Sequence, residues 1–436
     1  MAEARRVAGL RFPAVLRDEP QYRILFFGQF LSIIGDRVIS IALPFAVLSL
    51  GGRVGDVAAV SVAQFLPFLV LALPAGVLAD RWSRKWIVVG SDAVRFVCQA
   101  TAAVLLLSRQ ATVLELVVVA AVYGAADAFF SPAITGLIPT TVAPGNIQSA
   151  NALRGASYSL GSITGPLIAA LLLAVVGPGG SFAFDAFTFL ISVLFLLRLR
   201  ARAAASDLVP ESRDDRDRAR AAEPFVTALR RGWTEVRTRP WVLAFLGGFS
   251  AYSIFVLPAI FVLGPVLMSQ KFGGASSWAL ITAGFGVGAL LGDLILLRWR
   301  PRFALRVAAF ALIGASCQAV IIASGPNVWT IAALEVVAGA CVTASFSLWE
   351  TSIQEHIPGD ALSRVSSYDY FASTGSLPLG NILAGVLSTG FGVPLALFAM
   401  GGVGIVSALG VAAIPSVRRL PRGPSGDAEP VAARVS

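Results

Sequence analysis

The sequence has 436 residues, of which 56% are hydrophobic and 14% are charged, and its mean hydropathy is +0.78. Soluble domains carry about 25% charged residues, so this composition excludes an ordinary soluble protein and indicates a membrane protein with many spans. The net charge of +9 leaves a nucleic-acid partner open until the basic residues are located along the chain.

The chain begins with a polar arm, residues 1–21, followed by six long apolar runs. The arm contains Asp and Glu and lacks the apolar core and small-residue cleavage site of a signal peptide, so we expect a cytoplasmic arm. A helix needs about 20 apolar residues to cross the hydrocarbon of a membrane. The runs that meet this length predict an N-terminal bundle over 22–198, with spans at 22–50, 56–79, 86–107, 112–140, 149–176 and 181–198.

A long polar segment, residues 199–240, separates this bundle from a second set of apolar runs. Its first part is dense in charge, and we expect a cytoplasmic loop. Its second part, 224–241, has apolar residues at helical spacing among arginines, which predicts a short helix on the membrane surface. The later runs predict a C-terminal bundle over 241–415, with spans at 241–269, 276–298, 303–324, 328–349, 365–389 and 392–415, before a cytoplasmic tail at 416–436.

Twelve predicted spans make this an all-α membrane protein with both termini on the same side. The distribution of positive charge identifies that side, because loops rich in Lys and Arg stay in the cytoplasm. Of the 34 Lys and Arg residues, 29 lie in the segments assigned to the cytoplasm or within six residues of the cytoplasmic end of a span, and the others are Arg37, Arg53, Arg95, Arg109 and Lys271. The basic charge therefore orients the chain with both termini in the cytoplasm, and the nucleic-acid interpretation is rejected. The membrane that we expect is a bacterial-type cytoplasmic membrane.

The two halves of the chain also resemble each other. The stretch PGNIQSANALRGASYSLGS from Pro144 matches PGDALSRVSSYDYFASTGS from Pro358 in its prolines, glycines and serines. A repeat of six spans is typical of transporters whose halves rock around a site near the middle of the membrane. Chance matches in a biased sequence are the alternative, and the equal number of spans in each half argues against them.

The hairpin between the second and third predicted spans contains the stretch GVLADRWSRK. This stretch resembles the loop signature of the major facilitator superfamily, with Ser83 in place of a usual glycine. The matching residues are Gly76, Asp80, Arg81, Arg84 and Lys85. In that family the aspartate is thought to hold the two halves together on the cytoplasmic side. The resemblance therefore implies a cytoplasmic gate formed by Asp80 and Arg84, and a purely topological role for these charges is the alternative.

A second stretch, GSITGPLIAAL in the fifth predicted span, resembles the family's antiporter signature through Gly161, Gly165 and Pro166. The stretches GQFLSIIGDRVISIALP and GAADAFFSPAITGLIP resemble the exporter branch that includes siderophore and macrolide efflux proteins. The resemblance covers about residues 20–415. It implies two pseudo-symmetric bundles of six helices each and secondary transport by alternating access.

Two acidic residues lie deep inside predicted spans. Asp36 and Asp127 are each about 20 Å from the start of their spans at a rise of 1.5 Å per residue. Ionisable residues near the middle of a bilayer cost about 2.5–3.5 kcal/mol even on lenient scales and are usually functional. We therefore predict that Asp36 or Asp127 couples transport to protons, and a structural hydrogen bond is the alternative. Arg37 follows Asp36 but points about 100° away on a helix, so the two need not pair.

The remaining charges within the spans predict supporting roles. Asp92 and Arg95 are three residues apart and favour a structural ion pair on one helix face. Glu115, Asp185 and Glu335 lie near the outer ends of their spans, where we expect them to be hydrated.

Other motifs predict neither a metal site nor a nucleotide site. His356 is the only histidine, so no histidine metal cluster exists, and we expect it in a solvated loop before the eleventh span. The stretch GFGVGALLG from Gly284 lies inside an apolar run, whereas a phosphate-binding loop follows a strand. Small residues that let two helices approach closely explain it better.

A binding cavity in such a protein is mostly apolar with a few polar groups. For the candidates near mid-membrane, lining a cavity and packing between helices are the two alternatives. These candidates are Gln29, Phe30, Arg37, Tyr123, Phe130, Tyr252 and Phe255.

The leading hypothesis is a transporter that exports an amphiphilic organic compound in exchange for protons. A proton-coupled nutrient importer and a non-transporting receptor with the same fold are the alternatives. No enzymatic activity and no cofactor are expected. The expected partners are a small-molecule substrate, protons and the lipid bilayer, and nothing in the sequence demands more than a monomer.

Overall fold

The computed structural model describes residues 14–200, 233–357, 365 and 368–421. All regular structure in this part of the chain is helical. Its contacts divide the described residues into two compact units. The first contains those up to residue 200 together with Gly273–Ala279, and the second contains those from 233 to 272 together with those from Leu280 onward.

Six long helices build the first unit, after a short helix at Ala14–Asp18. Proline at the start of α1 and a Thr112–Glu115 capping box at the start of α4 fix two of the helix ends. The helices are α1 (Pro20–Ser49), α2 (Val54–Arg81), α3 (Arg84–Leu107), α4 (Val113–Leu137), α5 (Ile147–Val175) and α6 (Gly177–Arg198). Helix α1 packs on α5 and α6, and α3 packs on α4 and α6, so α1, α3, α4 and α6 surround one interior.

Six further long helical segments follow, and they belong to the second unit except for the start of α8, up to Ala279. Helix α7 includes two π-helical turns, Tyr252–Val256 and Ala259–Leu263, and α9 is interrupted at Cys317. The segments are α7 (Pro240–Lys271), α8 (Ala275–Arg298), α9 (Ala304–Ser324), α10 (Val328–His356), α11 (Leu377–Phe391) and α12 (Val393–Ala413).

Eleven helices of the described residues are long and apolar enough to cross a membrane. The exception is the predicted eleventh span, 365–389, which is not one continuous α-helix. A π-helical turn at Phe371–Gly375 precedes α11, which has 15 residues. Pro378 in the first turn of α11 has no amide hydrogen to continue the ladder from the preceding turn, so the chain restarts its helix there.

The predicted tenth span is too short, because α10 continues to His356. His356 is therefore not in a solvated loop. Its Nδ1 lies 3.0 Å from the Ser352 carbonyl oxygen, its Nε2 lies 3.1 Å from the Pro421 carbonyl oxygen, and its ring packs 6.0 Å from that of Trp241.

The first half of the surface helix predicted for 224–241, residues 224–232, falls outside the described residues. Residues 233–237 are helical, Trp233 is exposed and Val236 is buried. The role of this segment stays a prediction.

Glycines bring α8 and α10 into close contact. A side chain on Gly288 would overlap the Val336 carbonyl oxygen, and one on Gly339 would overlap the Phe285 carbonyl oxygen. The prediction that GFGVGALLG packs two helices together is confirmed.

Candidate functional site

Polar side chains from α1, α3, α4 and α6, some buried and some partly exposed, meet inside the first unit. Each of these helices is otherwise strongly apolar, so the polar residues stand out on the faces that point inward. We call this group the polar network. Its members are Gln29, Asp36, Asp92, Arg95, Gln99, Tyr123, Asp127, Asp185, Thr188 and Ser192.

Arg95 is the centre of the polar network, and its side chain is 2% exposed. Its Nη2 donates to Asp127 Oδ1, and its Nη1 lies 3.5 Å from Asp92 Oδ1. The guanidinium lies 4.0 Å from the centroid of the Phe130 ring, in cation–π geometry. One cation is thus shared between two carboxyl groups on different helices.

Asp36 joins this centre through Tyr123. The Tyr123 hydroxyl donates to Asp36 Oδ1, and the ring of Tyr123 lies 5.5 Å from Arg95 Cζ. Asp36 and Asp127 are both partly exposed, and the Asp127 side chain is 43% exposed. These two are therefore the acids of the network whose side chains are not fully enclosed by protein.

Asp92, in contrast, is completely buried. The Ser192 hydroxyl donates to Asp92 Oδ2 at 2.6 Å, and Gln29 Nε2 donates to the same oxygen at 3.0 Å. With Arg95 on its other oxygen, Asp92 is held by three helices, α1, α3 and α6. This dense bonding fits a group that anchors Arg95.

Asp185 forms the fourth carboxyl of the network. Gln99 Nε2 donates to Asp185 Oδ2 at 2.7 Å, and the Thr188 hydroxyl lies 3.2 Å from Asp185 Oδ1. A side chain at residue 35 would overlap both Asp185 Oδ1 and the Thr188 hydroxyl, so only glycine fits there. Gly35 therefore allows Asp185 to lie against the α1 backbone beside Asp36. The expectation that Asp185 is hydrated is wrong, because it is completely buried.

Two small cavities border the network. One of about 30 Å³, toward the start of α1, is lined by Gln29, Phe30 and Arg154, and one of about 20 Å³, toward the end of α1, is lined by Gln64, Gln99 and Tyr123. Each is large enough for a water molecule, and amide groups line both. Water at these positions would contact the network from both ends.

Most predicted residues of the first unit do come together. Gln29 contacts Asp92, Phe130 stacks on Arg95, and Phe30 borders the first cavity. Arg37 is the exception, because it is exposed and no ion pair joins it to Asp36 in the described structure. Tyr252 is buried and Phe255 is half-buried, and both belong to the second unit.

The contribution of α3 to the polar network was not predicted from the sequence. Asp92, Arg95 and Gln99 are three and four residues apart, so they lie on one face of a helix. That spacing was a usable signal for an inward polar face. A side-chain hydrogen bond between Gln99 and Asp185 joins two helices. The two residues are distant in the sequence, so no local pattern predicts that they pair.

Two residues of the predicted gate motif bind helix ends in the first unit. Arg84 Nη1 donates to the Gly136 carbonyl oxygen at 3.1 Å, near the end of α4. Lys85 Nζ donates to the Leu199 carbonyl oxygen at 2.7 Å, beyond the end of α6. Cations are favoured there because the last carbonyls of a helix are unpaired and carry partial negative charge. Gly76, Asp80 and Arg81 of the motif are not among the residues whose side chains the structure describes.

The antiporter motif packs α5 against α1. A side chain on Gly165 would overlap Arg37 Cβ, and one on Gly161 would lie 3.1 Å from Ile33 Cγ2. Pro166 is buried beside them. The motif thus keeps α5 in close contact with the helix that carries Asp36.

Known proteins are similar to this chain along most of its length. Residues 25–374 match the family model of the Major Facilitator Superfamily. Macrolide efflux protein A of Streptococcus pyogenes is 23% identical over 380 residues, with 86% of this chain and 90% of the relative covered. Multidrug efflux pump Tap of Mycolicibacterium fortuitum is 26% identical over 395 residues, with 86% and 91% covered. The crystal structure of nucleoside transporter NupG (D323A mutant) aligns with a TM-score of 0.71 at 13% identity, with 90% of this chain and 99% of that chain covered, which supports the fold.

Proposed function

Because the chain belongs to the major facilitator superfamily, a family of membrane transporters, we propose that it exports a hydrophobic or amphiphilic organic compound in exchange for protons. The observation that carries the proposal is the charge balance of the polar network. The polar network contains four carboxyl groups, those of Asp36, Asp92, Asp127 and Asp185, and one guanidinium, that of Arg95, which pairs with two of them. The similar proteins named as efflux proteins support the direction of transport.

The charge balance favours bound protons for an electrostatic reason. Each unpaired carboxylate within a membrane costs about 2.5–3.5 kcal/mol, so four negative charges around one positive charge are unfavourable. Protonation removes this cost without moving any helix. A network of this kind therefore holds protons and is suited to exchange them.

We assign the exchange to Asp36 and Asp127, which are the partly exposed acids. When Asp127 binds a proton, its ion pair with Arg95 weakens and the guanidinium stays with Asp92. Arg95 Nε has no hydrogen-bond partner among the described residues, so the guanidinium has a spare donor for a second arrangement. Tyr123 lies between Arg95 and Asp36, so a movement of Arg95 would change the environment of Asp36.

The proposal includes an orientation and a substrate class. We propose that both termini lie in the cytoplasm of a bacterial-type cell, as the distribution of Lys and Arg favours. We also propose that the chain acts as a monomer in the plasma membrane. The substrate expected for an apolar cavity with a few carboxyl groups is a lipophilic compound, with a cationic group as a common feature. The Asp80–Arg84 gate remains part of this proposal.

The test uses the full-length protein in liposomes with an internal pH dye. We would add the macrolide erythromycin and the lipophilic cation ethidium, and compare wild type with Asp36→Asn and Asp127→Asn. Asp18→Asn is the matched control, because the Asp18 side chain is 50% exposed outside the network. We expect substrate to drive proton movement in the opposite direction in wild type and the control, and either network variant to reduce it at least tenfold.

Other results would reject parts of the proposal. Proton movement in the same direction as the substrate would favour an importer. Variants that match wild type would return Asp36 and Asp127 to structural roles. Failure of a broad panel of lipophilic compounds to move at all would favour a receptor.

A further inference from the structure

The second unit contains a buried acid that the proposed function does not use. Glu335 lies on α10 and is 2% exposed. Its position near the outer end of the predicted span had suggested that Glu335 is hydrated. That expectation is wrong, because the helix turns Glu335 toward the interior of the second unit.

A chain of hydrogen bonds leads to Glu335 from α7 through α9. The Tyr252 hydroxyl donates to Gln318 Oε1 at 2.7 Å, and Gln318 Nε2 donates to Glu335 Oε2 at 2.8 Å. Tyr252 and Gln318 are themselves 2% exposed. Tyr252 also begins a π-helical turn, a departure from α-helical geometry that often accompanies functional sites.

The other oxygen of Glu335 has no hydrogen-bond partner. Glu335 Oε1 is buried and accepts no bond from any described residue. The acids of the polar network, by comparison, lie in a group that also contains the guanidinium of Arg95. Glu335 has one amide donor on one oxygen and none on the other among the described residues.

No cation neutralises Glu335 within the described part of the second unit. The facing titratable group is Tyr252 of α7, which reaches Glu335 through Gln318. No ion pair joins Glu335 to the charged residues of the helices around it, Lys271, Asp293, Arg298, Arg306, Glu350, Glu355 and His356. A carboxylate with one neutral donor and no cation is strongly disfavoured in such a place, so the neutral acid is the stable form.

We infer that Glu335 is a second proton-carrying site, in the opposite half of the transporter from Asp36 and Asp127. The inference rests on the proposed proton-coupled export. The carboxylic acid keeps its proton while buried, and it gives that proton to water when the surrounding helices open. The carboxylate that remains is held by the Gln318 amide until a proton returns from the other side. Transport would then move one proton more than the polar network alone can supply.

The first test needs no substrate. The full-length protein in lipid is studied by difference infrared spectroscopy between acidic and alkaline pH, with wild type, Glu335→Gln and the matched control Glu350→Gln. Glu350 is exposed on the same helix. The protonated acids of the polar network contribute a carbonyl band in all three proteins at neutral pH, and we expect this band to be weaker in Glu335→Gln than in wild type and the control by the contribution of one carboxylic acid. Identical spectra for all proteins would overturn the inference, whatever the fate of the proposed export.

The second test counts protons in the liposome assay with erythromycin or ethidium, whichever wild type moves. We expect Glu335→Gln to move one proton fewer per substrate, and Glu335→Asp to restore the count. Equal elution volume and thermal midpoint of the variant would show that it folds. An unchanged count in a folded Glu335→Gln protein would reduce Glu335 to a packing role, while Asp36→Asn and Asp127→Asn would still report on the polar network.

Discussion

Arg95 shows how one residue organises the polar network. Its planar guanidinium binds carboxyl groups from α3 and α4 at the same time and stacks on Phe130. A lysine carries the same charge but has a compact ammonium group that cannot form this fork. The geometry of the network therefore depends on the shape of the cation as well as on its charge.

We expect Arg95 and Asp127 to be energetically coupled. Arg95→Gln alone leaves two carboxyl groups without a cation, so it should destabilise the protein more than the same change made together with Asp127→Asn. Neighbouring charged residues have interaction energies of about 0.5–3 kcal/mol, and the partial exposure of Asp127 places this pair toward the lower end. Thermal unfolding of the two single variants and the double variant in detergent measures the coupling. Strictly additive effects would show that the ion pair contributes nothing to stability.

The same residue scale shows where prediction from sequence is weak. Asp36, Tyr123 and Asp127 were identified because acids and polar groups deep in an apolar run are costly. Asp185 and Glu335 were wrongly predicted to be hydrated. That prediction rested on their position near the ends of their spans. Burial depends instead on which helix face points inward, and that is fixed by packing against helices distant in the sequence.

At the scale of helices, glycines decide how closely neighbours approach. Gly284, Gly288 and Gly339 place α8 against α10, and Gly35 places α1 against α6. Helices in lipid gain little from hydrophobic burial, so close backbone packing supplies much of their association. Close packing of α8 on another helix was predicted correctly from its small residues, and Gly284 and Gly288 are four residues apart. The partner helix, α10, could not be predicted from the sequence.

Gly288→Ala should separate α8 and α10. A methyl group at residue 288 would overlap the Val336 carbonyl oxygen, which belongs to the backbone and cannot rotate away. Overpacking of this kind costs about 1–3 kcal/mol. Gly247→Ala on α7 is the matched control, because an added methyl group there meets nothing within 4 Å. Thermal unfolding in detergent should show a lower midpoint for Gly288→Ala only, and equal midpoints would mean that the α8–α10 contact adjusts without cost.

At the scale of the whole molecule, hydropathy alone predicted nearly all of the helical spans. The hydrocarbon leaves the backbone no water to bond, so long apolar segments must form helices. The same argument failed for the predicted eleventh span, where a π-helical turn and Pro378 divide the chain. Local backbone geometry, which hydropathy does not measure, decided that segment.

The orientation in the membrane gives a prediction for the whole molecule. Ser83 lies in the hairpin rich in basic residues, and Gln110 lies in the hairpin that follows α3, so the positive-inside rule places them on opposite sides. Both are exposed, so a cysteine at either position should react readily once a reagent reaches it. We would replace Cys98, Cys317 and Cys341 and introduce Ser83→Cys or Gln110→Cys.

In intact cells, a maleimide that cannot cross membranes should label Gln110→Cys at once and Ser83→Cys only after permeabilisation. This orientation puts the cavity beside Gln64 and Gln99 toward the outside, from which a proton gradient would load Asp36 and Asp127. The opposite labelling pattern would reverse the side from which protons enter. Export driven by an inward proton gradient would then lose its physical basis, even if both aspartates proved essential.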